Sequence, residues 1–215
     1  MNLLSSEALG ELRRLIDDER SATGGQRLLV LTSARTNLFA AGADMAEMRE
    51  FSGGHAEEFA RIGQELFAAI EKLPMLTVAL IDGDCFGGAL DLALAFDFRF
   101  ATPRSRFAHP GARIGIVTGF GGTTRWRKVL SRPAANALFL ANEVTNAAEA
   151  LQMGLVDRLG EAHEPELVRL ESTDPGTVMF VKELTIHAGR LSRGQLLLMA
   201  NRLGHLYFGG SPWNR

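Results

Sequence analysis

Val78–Asp97 reads VALIDGDCFGGALDLALAFD, and the order of residue types in it fixes a strand, a turn and a helix. The apolar run entering it, Leu76–Asp82 (LTVALID), is short and lacks polar alternation, which suits a strand buried on both faces of a parallel sheet. Gly83–Phe86 reads as a turn, and Gly87–Phe96, rich in alanine and leucine, as a helix. Upstream, Arg27–Thr32 (RLLVLT) is a second candidate for a buried strand. A small-residue loop, Ser33–Asp44, leads from it into a short helix, and a longer helix covers about His55–Lys72 before Pro74. The sequence strand, crossover, strand implies a parallel α/β core with right-handed connections.

The flanks extend this reading. Leu3, Leu4, Leu9, Leu12 and Ile16 recur at helical spacing with Ser5 or Ser6 as N-cap, and Gly24-Gly25 ends that helix. Phe98–Ala101 and Arg106–Ala108 are short strand candidates separated by Pro103, and glycine-rich Gly115–Gly122 leads into a further helix. From about Pro165 the chain reads as a helical tail. The expected organisation is an α/β core over residues 1–160 and a helical cover or assembly region over 161–215.

Composition bounds the partners. With 23 Lys and Arg against 25 Asp and Glu, no global field favours nucleic acid or an anionic membrane, so an anionic ligand must be held locally. The single cysteine, Cys85, cannot form an intramolecular disulfide, and the first residues show neither a basic n-region nor a long apolar run. A reducing cytoplasm is the expected compartment. Glycine clusters invite a nucleotide-binding reading, but Gly119-Phe120-Gly121-Gly122-Thr123-Thr124 has threonine where a dinucleotide loop needs its last glycine. Gly83–Gly88 lacks the Gly-Lys-Ser/Thr of a phosphate loop, no G-x-S-x-G elbow occurs, and no histidines stand at metal-ligand spacing. No metal site is expected.

Two strand-to-loop sites remain, Ala41-Gly42-Ala43 and Gly87-Gly88-Ala89, whose small residues let a ligand approach the backbone. If the two strands are neighbours, both loops lie at the same edge of the sheet, and the second also opens a helix whose free N–H groups favour negative charge. Two such amides converging on one oxygen would form an oxyanion hole. The same glycines would also serve tight helix-on-strand packing, and spacing alone leaves both readings open.

Leu29–Met48 (LVLTSARTNLFAAGADMAEM), Val78–Asp97, Arg106–Arg125 (RFAHPGARIGIVTGFGGTTR) and Ala150–Arg158 (ALQMGLVDR) resemble, in order and spacing, four signature blocks of the crotonase (enoyl-CoA hydratase/isomerase) superfamily. The resemblance runs from about Asn2 to Phe208. It implies a ββα spiral core and assembly as a homotrimer or dimer of trimers. It also implies oxyanion-hole donors at the N–H groups of Ala43 and Gly88, with Ala41, Gly42, Asp44 and Gly87 along the substrate and the first loop against the CoA adenine. CoA enters as part of the substrate, with no separate cofactor.

The acid and base positions depart from the family pattern. Enoyl-CoA hydratases carry two glutamates; the matching positions here are Asp91 and Gly111, one shortened by a methylene and one without a side chain. The two-glutamate route to hydration is therefore not expected, and Asp91 is the candidate base, its other reading being a structural carboxylate in the first turn of a helix. His109 stands two residues before Gly111 and is a second acid/base candidate, although such a histidine is more often packed in the core. Thr118 aligns near a position that is functional in some relatives, while Asp97 matches a structural aspartate. The resemblance further implies a strand hairpin and an Arg-Pro segment ahead of the residues that Asn2–Ser5 match. The apolar residues Leu196, Leu197, Met199, Leu203 and Leu206 in the tail suit a subunit interface. The expected function is acyl-CoA processing through a thioester enolate, as in isomerisation or weak hydration, with decarboxylation and thioester hydrolysis left open; the alternative is a catalytically idle acyl-CoA-binding or assembly subunit.

Overall fold

The computed structural model describes residues 2–21, 25, 28–187 and 192–199. Helix α1 (Ser6–Ser21) precedes strands β1 (Leu28–Thr32) and β2 (Leu38–Ala40), the short helix α2 (Met45–Arg49) and the long α3 (His55–Glu71). The pattern recurs as β3 (Leu76–Ile81), β4 (Asp84–Phe86) and α4 (Gly88–Ala93). It recurs again as β5 (Phe98–Ala101), β6 (Arg106–Ala108), a 3-10 turn (Pro110–Ile114), α5 (Gly122–Val129) and α6 (Arg132–Phe139). β7 (Thr145–Asn146), α7 (Ala147–Gln152), β8 (Arg158–Leu159), α8 (Glu164–Glu171) and α9 (Pro175–His187) follow, and residues 193–199 are helical.

Each repeat sends its first strand to one sheet and its second to another. The first sheet runs β1-β3-β5-β8, all parallel; the second runs β2-β4-β6-β7, with β7 antiparallel to β6. Helices close the turns of this ββα spiral. β1 and β3 are direct neighbours, so their downstream loops do lie together.

Two strands of the second sheet, β2 and β4, are the main departure from the reading of the residues. β4 occupies three residues of the expected Gly83–Phe86 turn, and β2 three residues of the expected Ser33–Asp44 loop. A three-residue strand is too short for an alternating pattern to register, and its pairing is supplied by residues far along the chain. Gly83 makes the step between sheets possible: its φ is +88°, and a Cβ there would lie 1.9 Å from the backbone carbon of Asn37. The helix expected over Gly87–Phe96 is shorter, and the first helix begins at Ser6, because Leu4 forms a bridge to Ala43 instead.

The core lies between the sheets and the helices. Leu9 and Ile16 of α1, seven residues apart, are buried where α1 packs on α3, whose Leu66, Phe67 and Ile70 are fully covered. Each such side chain contributes roughly 1.5–3 kcal/mol by leaving water. Two polar links anchor the periphery. Asp97 accepts from Thr77 N, Thr77 Oγ1 and Lys182 Nζ, tying α9 to the start of β3 and placing this aspartate in a structural role. Arg99 is buried, pairs with Asp157 at 2.9 Å and donates to the carbonyls of Leu155 and Phe96; burial holds its pKa below the usual guanidinium value. Among the described residues no helix is long and apolar enough to cross a membrane. Of the tail residues expected at an interface, Leu197 is exposed, while Leu203 and Leu206 lie outside the described residues.

Candidate active site

The first loop is pinned by Leu4. Leu4 N donates to Gly42 O at 2.8 Å and Asp44 N to Leu4 O at 3.3 Å, so the bridge uses the neighbours of Ala43 and turns the Ala43 N–H away from Leu4. Asp44 serves as the N-cap of α2, accepting from Ala46 N and Glu47 N. In the second loop, Gly87 N donates to Ala108 O at 2.9 Å, and Gly88 becomes the first residue of α4. Its N–H has no acceptor within the helix.

These loops touch. A Cβ on Gly42, whose φ is +96°, would stand 2.8 Å from Phe86 O and 3.1 Å from Gly88 N. A Cβ on Gly88 would stand 3.5 Å from Ala43 N. Only a residue without a side chain at position 42 lets the two amides come so near one another.

Both amides border a cavity of about 490 Å³. Of the residues singled out in the sequence, Ala41, Gly42, Ala43, Gly87, Gly88, Asp91, His109, Gly111 and Thr118 line it; Asp44 does not, its carboxylate being held at the α2 cap. The rest of the wall is almost wholly apolar, with Met48, Phe59, Ile116 and Phe120 among its members. A cavity of this kind, apolar with a few convergent polar groups, is the usual form of a small-molecule site.

Apart from Glu57, its polar side chains form one chain. Asp91, 1% exposed, accepts at Oδ2 from the Thr118 hydroxyl. Its Oδ1 stands 3.4 Å from His109 Nε2, and both of those atoms are buried with no hydrogen-bond partner. The imidazole stacks on Phe139 at 4.8 Å. Gly111 does not leave an empty space: a Cβ there would lie 2.7 Å from Ile116 O and 3.3 Å from His109 Cε1. Cys85, next to this group on β4, has its thiol pKa pushed up by burial and then by the Asp91 and Asp84 carboxylates, so it stays protonated.

Three contributors escaped the sequence reading. Phe120 lays its ring beneath Gly88, where a Cβ would meet it at 2.9 Å; it belongs to a glycine-rich run that reads first as a failed nucleotide loop. Gly122 opens α5 beside Asp91, and a Cβ there would sit 1.8 Å from Oδ1. Phe139, on a helix far along the chain, carries no local signal of its stacking role.

A family model described as enoyl-CoA hydratase/isomerase matches residues 1–167. Over 208 residues the chain is 32% identical to the crotonyl-CoA hydratase of Syntrophomonas wolfei, covering 94% of this chain and 72% of that relative. It is also 32% identical over 164 residues to the short-chain-enoyl-CoA hydratase of Clostridium acetobutylicum, with 76% of this chain and 62% of that relative covered. The chain thus spans less than two thirds of the latter's length. The crystal structure of an enoyl-CoA hydratase from Thermoplasma volcanium superposes with a TM-score of 0.90 at 24% identity, over 98% of this chain and 84% of that one, a likeness of fold. By sequence and by fold, the chain belongs to the enoyl-CoA hydratase/isomerase family, within the crotonase superfamily of acyl-CoA-processing enzymes.

Proposed function

We propose that this chain binds an acyl-CoA thioester in the 490 Å³ cavity, holds the enolate oxygen between the N–H groups of Ala43 and Gly88, and moves a proton with the group built on Asp91. The observation that carries this is the convergence of two backbone nitrogens from facing loops at one cavity that also contains a buried carboxylate. Fixed donors aimed at a developing negative charge act strongly in a site closed to water, because no reorganisation is needed as the charge appears. The apolar wall suits a hydrocarbon acyl group, and the Ala41–Asp44 loop is where the CoA adenine would rest. CoA arrives with the substrate, and no separate cofactor enters this reading. The reaction is double-bond isomerisation or hydration of an enoyl-CoA in the cytoplasm, by a homotrimer or dimer of trimers.

These relatives are named as hydratases and the matching family as hydratase/isomerase, and nothing favours the idle-subunit alternative. The test is a panel of short 2-enoyl- and 3-enoyl-CoA esters, followed for hydration, isomerisation and exchange of acidic protons with deuterated solvent, alongside calorimetric binding. Turnover of at least one ester is expected. Binding without exchange or turnover would restore the idle subunit, and no binding would reject the site. A strictly monomeric species by light scattering at micromolar concentration would sink the trimer.

A further inference from the structure

We infer that His109 Nδ1 is the atom that takes and returns the proton, with Asp91 behind the ring as its carboxylate partner. This rests on the reading of the cavity as an acyl-CoA site. Asp91 is poorly placed to meet a substrate itself: its side chain is 1% exposed against 7% for His109. Its Oδ2 is taken by the Thr118 hydroxyl, and its Oδ1 is sealed from solvent.

The contact between the two side chains fixes the tautomer. Oδ1 and Nε2 are both buried, otherwise unpartnered and 3.4 Å apart. Two lone pairs facing each other without water would leave two orphaned acceptors, so one proton belongs between them. Asp91 already accepts from Thr118 at its other oxygen and acts as the acceptor of this group, which puts that proton on Nε2 and leaves the lone pair on Nδ1. The Nδ1–Cε1 edge faces Gly111: a Cβ there would lie 3.4 Å from Nδ1 and 3.3 Å from Cε1. Gly111 and His109 both line the cavity. The ring edge therefore stands where a side chain at 111 would enter, the position of the missing second carboxylate. Phe139 holds the ring by stacking, and the Thr118 bond keeps the carboxylate from turning.

The step balances with no further reagent. In hydration, water adds its oxygen to the β carbon while its proton passes to Nδ1. The π electrons of the double bond move into the thioester enolate, held at the Ala43 and Gly88 amides. The imidazolium, paired with the Asp91 carboxylate, then returns one proton to the α carbon. The product is the 3-hydroxyacyl thioester, and His109 is neutral again. In isomerisation the same nitrogen takes a γ or α proton and returns it at the other carbon.

Two measurements decide the assignment. Long-range ¹H–¹⁵N NMR of the ¹⁵N-histidine-labelled full chain, with His109 identified by its through-space contacts to the Phe139 ring, should show the Nε2–H tautomer; an Nδ1–H tautomer overturns the proposal and needs no folded variant. His109→Gln should lower exchange and hydration by about a hundredfold or more, the usual size of a lost acid/base group, with the Kd for butyryl-CoA little changed. A folded His109→Gln protein that keeps wild-type turnover overturns it, as does Asp91→Asn abolishing exchange that His109→Gln spares. Wild-type protein that binds no butyryl-CoA fails the reading of the cavity instead, a result that the tautomer measurement does not share.

Discussion

The two walls of the cavity are built differently. The wall formed by Gly87 and the start of α4 is core: Ala89, Leu90, Asp91, Leu92 and Ala93 are all buried, and β4, which leads into it, is paired on both sides, by β2 and β6. The opposite wall, from His109 to Phe120, has Ile114 at 56% and Val117 at 81% exposure. It is held by a few bonds such as Ile116 N to Gly111 O and Gln64 Nε2 to Gly119 O. The rigid wall supplies the Gly88 amide and Asp91, while the looser one supplies His109, Gly111 and Thr118. A fold can change the groups on an irregular segment without disturbing strand pairing.

The largest effect that tests this contrast is expected at Gly83, beneath the rigid wall. Gly83→Ala requires a side chain at positive φ and 1.9 Å from Asn37 backbone, so a loss of about 4 kcal/mol or more, or failure to fold, should appear in denaturant unfolding. Stability near that of the wild type would mean that the step between the sheets is not rigid.

Next in size is Gly88→Pro, which deletes one amide donor and should lower turnover by the equivalent of about 2.7–4 kcal/mol. A Cβ at this position also meets Phe120 at 2.9 Å, so Gly88→Ala is the control. The alanine variant keeps the N–H and should retain much more activity than the proline variant. Equal losses would assign the effect to displacement of Phe120 and not to the donor.

On the looser wall, Gly111→Glu sharpens the comparison. Position 111 does not have a positive φ, yet a Cβ there runs into Ile116 O at 2.7 Å and the His109 ring. The new carboxylate is therefore expected to shift the loop and to leave hydration unimproved, with a small loss of stability of about 1 kcal/mol. A clear rise in hydration would show that the segment yields enough to restore a two-carboxylate site.

The smallest expected effect is electrostatic and lies at the end of β3. The Arg104 hydrogen bond, which outweighs the opposing effect of burial, holds the Asp82 carboxyl below its usual range, with the Thr102 hydroxyl helping. A depressed carboxylate pKa stabilises the fold above the unfolded value, and that stabilisation is lost as pH falls through the folded value. Arg104→Ala should therefore lower Tm slightly at neutral pH and hardly at all in strong acid, as read from Tm at the two conditions. An equal loss at both would show that Arg104 acts through packing.

The sequence by itself determined the long elements and marked the two glycine loops, while leaving their role open. Buried runs such as Leu76–Ile81 and the helical spacing of α3 carry their own signal, because hydrophobic periodicity is local. Glycine at 42, 87 and 88 likewise marks where backbone must come close to something. Only the tertiary structure decided the second sheet, since β2 and β4 are three residues long and defined by their partners. It also decided the chemistry of the polar chain: Asp91, the pair His109 and Thr118, and Phe139 come from three separate parts of the chain. Which ring nitrogen faces the carboxylate, and that His109 fills the space beside Gly111, depend on packing between α4, α6 and the 3-10 turn. Spacing along a sequence encodes which face of an element is buried, but contact between side chains on different elements is set by how those elements pack.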